Sequence, residues 1–323
     1  MIMKTKKQFL WMLFAILVCG FTAVTMASCG GGDDDDDITG GGSGGSSNPE
    51  MLKTPLTLEA IEAGTITFKN NATGPVTYRV NDGAAQTIKS QTAGEISVVA
   101  GDKVTFFGDN SSYSPSVFSN IKCSAFFYVY GNIMSLITSS GYATADKLEG
   151  NFNSLFRYNT KLKNHPSHQL VLPATTLAGG CYCAMFDGCT GLTEAPELPA
   201  TTLARTCYAA MFFGCTGLTE APKLPATTLA EDCYSNMFGN CTGLTEAPEL
   251  PATTLARECY RYMFQGCTNL TSVTCLATDI SAKYATSGWL DGVSATGTFT
   301  KAKGVDWPTG GNGIPSGWTV VEK

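Results

Sequence analysis

Thirteen cysteines and two histidines are the residues of this 323-residue chain best suited to chemistry. Eight of the cysteines form pairs eight residues apart: Cys181 and Cys189, Cys207 and Cys215, Cys233 and Cys241, Cys259 and Cys267. Thiols in such numbers could bind zinc or cross-link an exported chain. Zinc wants ligands in CxxC-like spacing, and only Cys181-x-Cys183 comes close. A disulfide wants Cα atoms within about 7 Å, whereas eight residues of helix span about 12 Å. The eight are therefore read as small apolar groups filling one buried slot per repeat. His165 and His168 stand as His-Pro-Ser-His, without further ligands nearby and with a proline that disfavours a helix, so no metal is expected there. No Ser/His/Asp order, HExxH or P-loop occurs, and neither an enzyme nor a cofactor is expected.

The elements that carry these residues repeat. LPATTLAxxCYxxMF begins at Leu172, Leu198, Leu224 and Leu250, a fixed period of 26 residues. Such a period marks a solenoid, in which each copy buries its apolar side by stacking on the next. Within the first copy Leu177, Cys181, Tyr182, Met185, Phe186, Cys189 and Leu192 are identical in every later one. The intervening pairs vary: Gly179-Gly180, Arg205-Thr206, Glu231-Asp232 and Arg257-Glu258, then Cys183-Ala184, Ala209-Ala210, Ser235-Asn236 and Arg261-Tyr262. Fixed positions at i, i+4 and i+8 predict a short amphipathic helical turn, with Thr176 as N-cap and Gly188, Gly214 and Gly266 as stops. The following Leu192–Leu198 segment is expected to be extended and to stack into a narrow parallel sheet with strands about 4.8 Å apart. Glu197, Lys223 and Glu249 would then form a column of alternating charge, and Glu194, Glu220 and Glu246 one of like charge. The variable positions supply the candidate ligand-binding residues Arg205, Phe213, Arg257, Arg261 and Tyr262.

Flanking segments complete the organisation. Residues 131–171 read as a degenerate entry repeat, since Leu155-Phe156 and Leu162 match Met185-Phe186 and Leu192 at an offset of 30. Residues 276–323 lose the repeat. Trp289, Trp307 and Trp318 lie there among turn formers and are read as an end cap, with stacking on sugar rings as the alternative. From Pro55 to about Tyr130 the pattern has period two: Thr65–Phe68, Val76–Val80, Gln86–Lys89, Lys103–Phe107 and Ser124–Tyr130 are expected strands between turn signals such as Asn81-Asp82-Gly83. A small β-sandwich results.

Lys4, Lys6 and Lys7 precede an apolar stretch, Phe9–Val24, and the small residues Ala27-Ser28, the pattern of a cleaved signal peptide. Gly30–Gly32, the five aspartates Asp33–Asp37 and a Gly/Ser run then form a solvated tether. Beyond residue 50 the chain carries 18 basic and 21 acidic residues. That balance provides no basic stripe for nucleic acid.

Three resemblances follow. Met26-Ala27-Ser28-Cys29 resembles the lipobox of bacterial lipoproteins, which implies lipidation of Cys29. The acidic run beside it resembles the signal that sends Bacteroidetes lipoproteins to the outer face of the outer membrane. The repeat MFxGCTxLTxAPxLPATTLAxxCYxxMF resembles the leucine-rich repeat of BspA-like bacterial surface proteins, with Met185-Phe186, Cys189 and Leu192 in the motif positions. The expected fold is α+β: signal peptide 1–28, tether 29–53, β-sandwich 54–130, leucine-rich-repeat solenoid 131–275 with short parallel strands and helical turns, and cap 276–323. The resemblance implies a lipid-anchored outer-membrane protein, facing outward, that adheres to a host or bacterial surface protein. A glycan ligand in polysaccharide uptake is the alternative.

Overall fold

The computed structural model describes residues 49–109, 119–148 and 151–323. The leader, Cys29 and the acidic run lie outside them. The structure is mostly strand, with one five-residue helix, α1 (Pro49–Lys53), and two 3₁₀ turns among the described residues. Helix α1 buries Met51, so the expected tether ends before residue 49 rather than at 53.

Eight strands build the N-terminal part: β1 (Thr57–Ala60), β2 (Gly64–Asn70), β3 (Val76–Val80), β4 (Gln86–Ile88), β5 (Thr92–Val98), β6 (Lys103–Gly108), β7 (Asn120–Cys123) and β8 (Phe127–Asn132). Period-two burial explains them, as in β6, where Val104 and Phe106 face inward while Lys103 is exposed. Asn81 and Asp82 hold φ of 49° and 59°, and Gly83 N–H bonds back to Val80, the type I′ geometry that suits a hairpin. Strands β1, β5 and β7 were not expected. In β5 the alternation is interrupted by Gly94, where a Cβ would lie 2.6 Å from the Ile88 side chain.

One sheet runs β5-β2-β7, and its Phe68 meets Phe106 of the other sheet at 5.4 Å between ring centroids. That larger sheet continues past residue 130. Strand β8 pairs with β1 on one side and with β10 (Leu162–Asn164) and β11 (Leu170–Val171) on the other. A two-residue pair, β9 (Lys147–Leu148) with β12 (Thr176–Leu177), leads into the repeats.

The repeats contain no helix, which corrects the expected helical turns. Alternate N–H groups take two routes. Met185, Asp187 and Cys189 bond three residues back, to Tyr182, Ala184 and Phe186. Tyr182, Ala184 and Phe186 bond instead to Cys207, Ala209 and Met211 in the next copy, at 2.8–2.9 Å. Overlapping β-turns result, every second one needing positive φ at its third residue, as type II turns do. Gly180, Ala184 and Gly188 accordingly hold φ of 66°, 51° and 71°, and the same positions recur in later copies. A turn pair that repeats every four residues reproduces the i, i+4, i+8 spacing of a helix. Thr176 therefore caps nothing and sits in β12, while Gly188, Gly214 and Gly266 are simply the last left-handed positions of their copies.

The ladder fixes the buried columns. Phe156, Phe186, Phe212, Phe238 and Phe264 stack at 5.5–5.7 Å, and Phe152, Tyr182, Tyr208, Tyr234 and Tyr260 at 5.7–6.1 Å. Each pair adds about 0.5–1.5 kcal/mol to its burial. The offset of 30 holds for the entry repeat, since Phe156 stacks on Phe186 and its N–H reaches Met185. All eight column cysteines are free and buried. Cys189, Cys215, Cys241 and Cys267 are more than filler: each thiol donates to the phenylalanine carbonyl of the preceding copy, at 2.9–3.1 Å.

The expected parallel sheet is reduced to single bridges, such as Glu194 to Glu220 and Glu246 to Ser272. Prolines 196, 199, 222, 225, 248 and 251 supply no N–H, so a continuous ladder cannot form along APxLP. Where proline gives way to Thr274, β13 (Ser272–Cys275) pairs over its whole length with β14 (Gly297–Lys301), which pairs with β15 (Trp318–Glu322). The loss of the repeat at 276 also needs correcting. Phe264 and Gly266 donate to Trp289 and Asp291, and Tyr284, Gly288 and Gly292 hold positive φ, so one further turn ladder is present.

Candidate binding surface

Fixed and variable positions separate by direction. Cys181-Tyr182 and Met185-Phe186 point inward, and the variable residues between them line the outer side of the turn ladder. Arg205, Glu231 and Arg257 occupy one position in three successive copies, with opposite charge at each step. Arg205 lies 3.7 Å from Glu231 and 3.8 Å from Asp232. Arg257 joins Glu231 at 2.7 Å and Glu258 at 2.8 Å, and Arg261 joins Glu258 at 2.7 Å. The Arg261 guanidinium then lies 4.9 Å from the Tyr262 ring centroid.

The structure thus brings together four of the five predicted residues, Arg205, Arg257, Arg261 and Tyr262. Phe213 takes no part in this network. Its ring instead covers Gly239, where a Cβ would come within 2.7 Å, which explains why the third copy has Gly239-Asn240 in place of x-Gly. The acidic partners Glu231, Asp232 and Glu258 were missed as site residues. The signal for Glu231 was the sign reversal at steps of 26, and Asp232 and Glu258 stand directly after the members of that column.

Electrostatics follow the contacts. Hydrogen bonding from Arg261, with Arg257 nearby, holds Glu258 below the usual carboxylate range. Burial, then the carboxylates of Glu258 and Glu231, push Asp232 up. Three arginines against three acids leave the network close to neutral, so it can offer hydrogen bonds and hydrophobic stems more readily than net charge.

No family model, curated protein or solved structure matches this chain. The surface is therefore read from its own chemistry.

Elsewhere, His165 and His168 stack at 4.4 Å and pack against Tyr130 at 4.9 and 5.0 Å. His165 Nδ1 accepts from the N–H groups of Ser167 and His168, while Nε2 lies 3.7 Å from Glu59. The pair closes a loop against β1 and β8. Among the described residues no group of three His, Cys, Asp or Glu side chains could hold a metal ion. The tail tryptophans are mostly internal: Trp289 is fully buried and Trp318 is 7% exposed. Trp307 stacks on Trp289 at 5.4 Å and borders a shallow cleft of about 220 Å³.

Proposed function

We propose that this chain is an outward-facing surface lipoprotein, anchored through Cys29, in which a small β-sandwich carries a leucine-rich-repeat solenoid that binds a protein on a host or bacterial cell. The observation that carries the reading is the Arg205–Glu231–Arg257–Glu258–Arg261 network with Tyr262 at its end. It spans three copies on a backbone fixed by hydrogen bonds between them. Arginine and tyrosine are the side chains that most often dominate protein interfaces. Held at repeated spacing, they form the extended surface through which repeat proteins bind. A near-neutral network also suits a protein partner better than nucleic acid. The glycan alternative loses support with Trp289 and Trp318 buried, since an enclosed indole offers no face to a sugar.

The test begins with intact cells and a protease that cannot cross the outer membrane. Digestion of residues 50–323 supports surface exposure; protection alongside periplasmic markers refutes it. Extracted surface proteins are then captured on wild-type chain and on Arg257→Ala/Tyr262→Ala. A partner retained equally by both would remove the turn face from the mechanism.

A further inference from the structure

A second surface lies before the first regular copy, where residues 121–127 run beside residues 155–163. Ile121 N–H bonds to Leu155, and Phe127 N–H to Lys161, so the two segments form one seam. The seam gathers cations over aromatic rings. Lys161 and Lys163 place their ammonium groups 4.4 and 4.5 Å from the Phe126 ring centroid. Farther along, Arg157 and Lys122 lie 4.6 and 5.6 Å from the Tyr158 centroid, and Tyr158 is 57% exposed. Arg157 is ion-paired with Asp187, and the Glu62 carboxylate accepts the Phe126 N–H. Among the described residues, Lys122, Lys161 and Lys163 have no carboxylate ion-pair partner. Burial lowers the pKa of Lys122, and the neighbouring Arg157 pushes the same way.

Lys122 donates to the Arg157 carbonyl, but Lys161 and Lys163 bring two ammonium groups without an ion-pair partner to one ring, where they repel each other at a cost. The rings offset part of that cost through cation–π attraction and fix the heads in place. From this we infer that the seam binds an extended acidic peptide segment on a protein partner. Lys161 directly precedes β10 and Lys163 lies within it, so their Cα atoms are about 6.6 Å apart, as in a strand. An extended peptide with carboxylates at alternate residues has the same backbone spacing, and the long lysine stems bring two charge-assisted contacts within reach. The inference does not depend on the turn face, because Arg205, Arg257, Arg261 and Tyr262 belong to later copies.

The experiment uses the mature chain and three probes: a synthetic peptide alternating Glu and Thr, its counterpart with Gln for Glu, and a sulfated oligosaccharide. Binding of the Glu peptide alone, weakened by added salt, is expected. Lys161→Gln/Lys163→Gln should weaken it about five- to tenfold, as two exposed charge pairs would. Lys283→Gln, which removes a cation from Tyr284 at the other end of the repeats, should leave it unchanged. Lys161→Arg/Lys163→Arg should retain binding, and unchanged thermal melts would show that all variants fold. Equal binding of the Gln peptide, no binding of the Glu peptide, or an unaffected double Gln variant overturns the inference. Tighter binding of the sulfated oligosaccharide reassigns the seam to an acidic glycan and overturns it as stated.

Discussion

Ala210→Gly separates a turn ladder from a helix by the sign of its effect. Ala210 sits mid-way along the turn run of the second copy with φ of 52°. A non-glycine residue in that left-handed region costs about 1–2 kcal/mol, which glycine recovers. Glycine's greater freedom in the unfolded chain returns about 0.4–1 kcal/mol of that gain. A net stabilisation of about 0.5–1 kcal/mol is therefore expected. In a helix interior the same substitution would destabilise by about 1 kcal/mol. Equilibrium urea unfolding measures the difference, with Ala226→Gly as a control at a buried alanine outside the left-handed positions. Ala184→Gly, at φ of 51°, should repeat the result one copy earlier. A lower midpoint for Ala210→Gly, matching that of the control, would refute the overlapping-turn description.

Four other outcomes are expected. Burial pushes the thiols of the cysteine columns up, Cys207 and Cys259 to about 12, so iodoacetamide at pH 8 should leave all eight column cysteines unmodified until the chain is unfolded, as intact-mass measurement would show. Tyr234→Phe should raise the urea midpoint, because among the described residues its buried hydroxyl has no hydrogen-bond partner and such a group costs about 1–3 kcal/mol. His165 titrates below its ordinary value, chiefly because of burial and then His168, with Glu59 opposing and Lys103 reinforcing. Its neutral form is favoured by folding, so its contribution is complete above the unfolded value near 6.5 and is lost as pH falls through the lower folded value. The melting temperature should fall over that window, and less so in His165→Gln. Gly288→Ala places a Cβ 2.4 Å from the Tyr262 ring at φ of 64°, and should cost about 2–4 kcal/mol by the same unfolding measurement. In Tyr262→Ala the cost should shrink toward the backbone cost alone.

Sequence made the period legible because four copies repeat the same buried residues, and columns such as Phe186-Phe212-Phe238 follow directly from it. It misled about local conformation because the spacing that marks one face of a helix also marks every second turn of an overlapping series. The deciding residues, Ala184, Ala210 and Asn236, have no glycine to announce their positive φ. The last ladder was hidden for a different reason. At steps of 26 from the fourth copy, Cys259 gives way to Ala285, Met263 to Trp289 and Phe264 to Leu290. The signature disappears while the backbone hydrogen bonds persist. The candidate surface was half legible: the arginines stood out as variable, and their acidic partners emerge only when successive copies are aligned and read for sign.

The backbone also limits what this surface can display. At three left-handed positions a large side chain leans over the next copy and leaves no room there for a Cβ. Tyr158 covers Gly188, Asn240 covers Gly266, and Tyr262 covers Gly288. Phe213 over Gly239 follows the same logic one residue earlier in the turn. In these four places a bulky group in one copy is followed by glycine in the next, whereas Asp232, Glu258 and Tyr284 succeed one another in a different left-handed column. Charge alternates along one column, Arg205, Glu231 and Arg257, while the neighbouring column sets Asp232 beside Glu258, a like pair that the arginines bridge. Variation on the turn face is thus correlated from one copy to the next. The turn face presents aromatic rings separated by glycine gaps beside a charge-balanced row, a pattern that extends along the repeats rather than converging on one pocket.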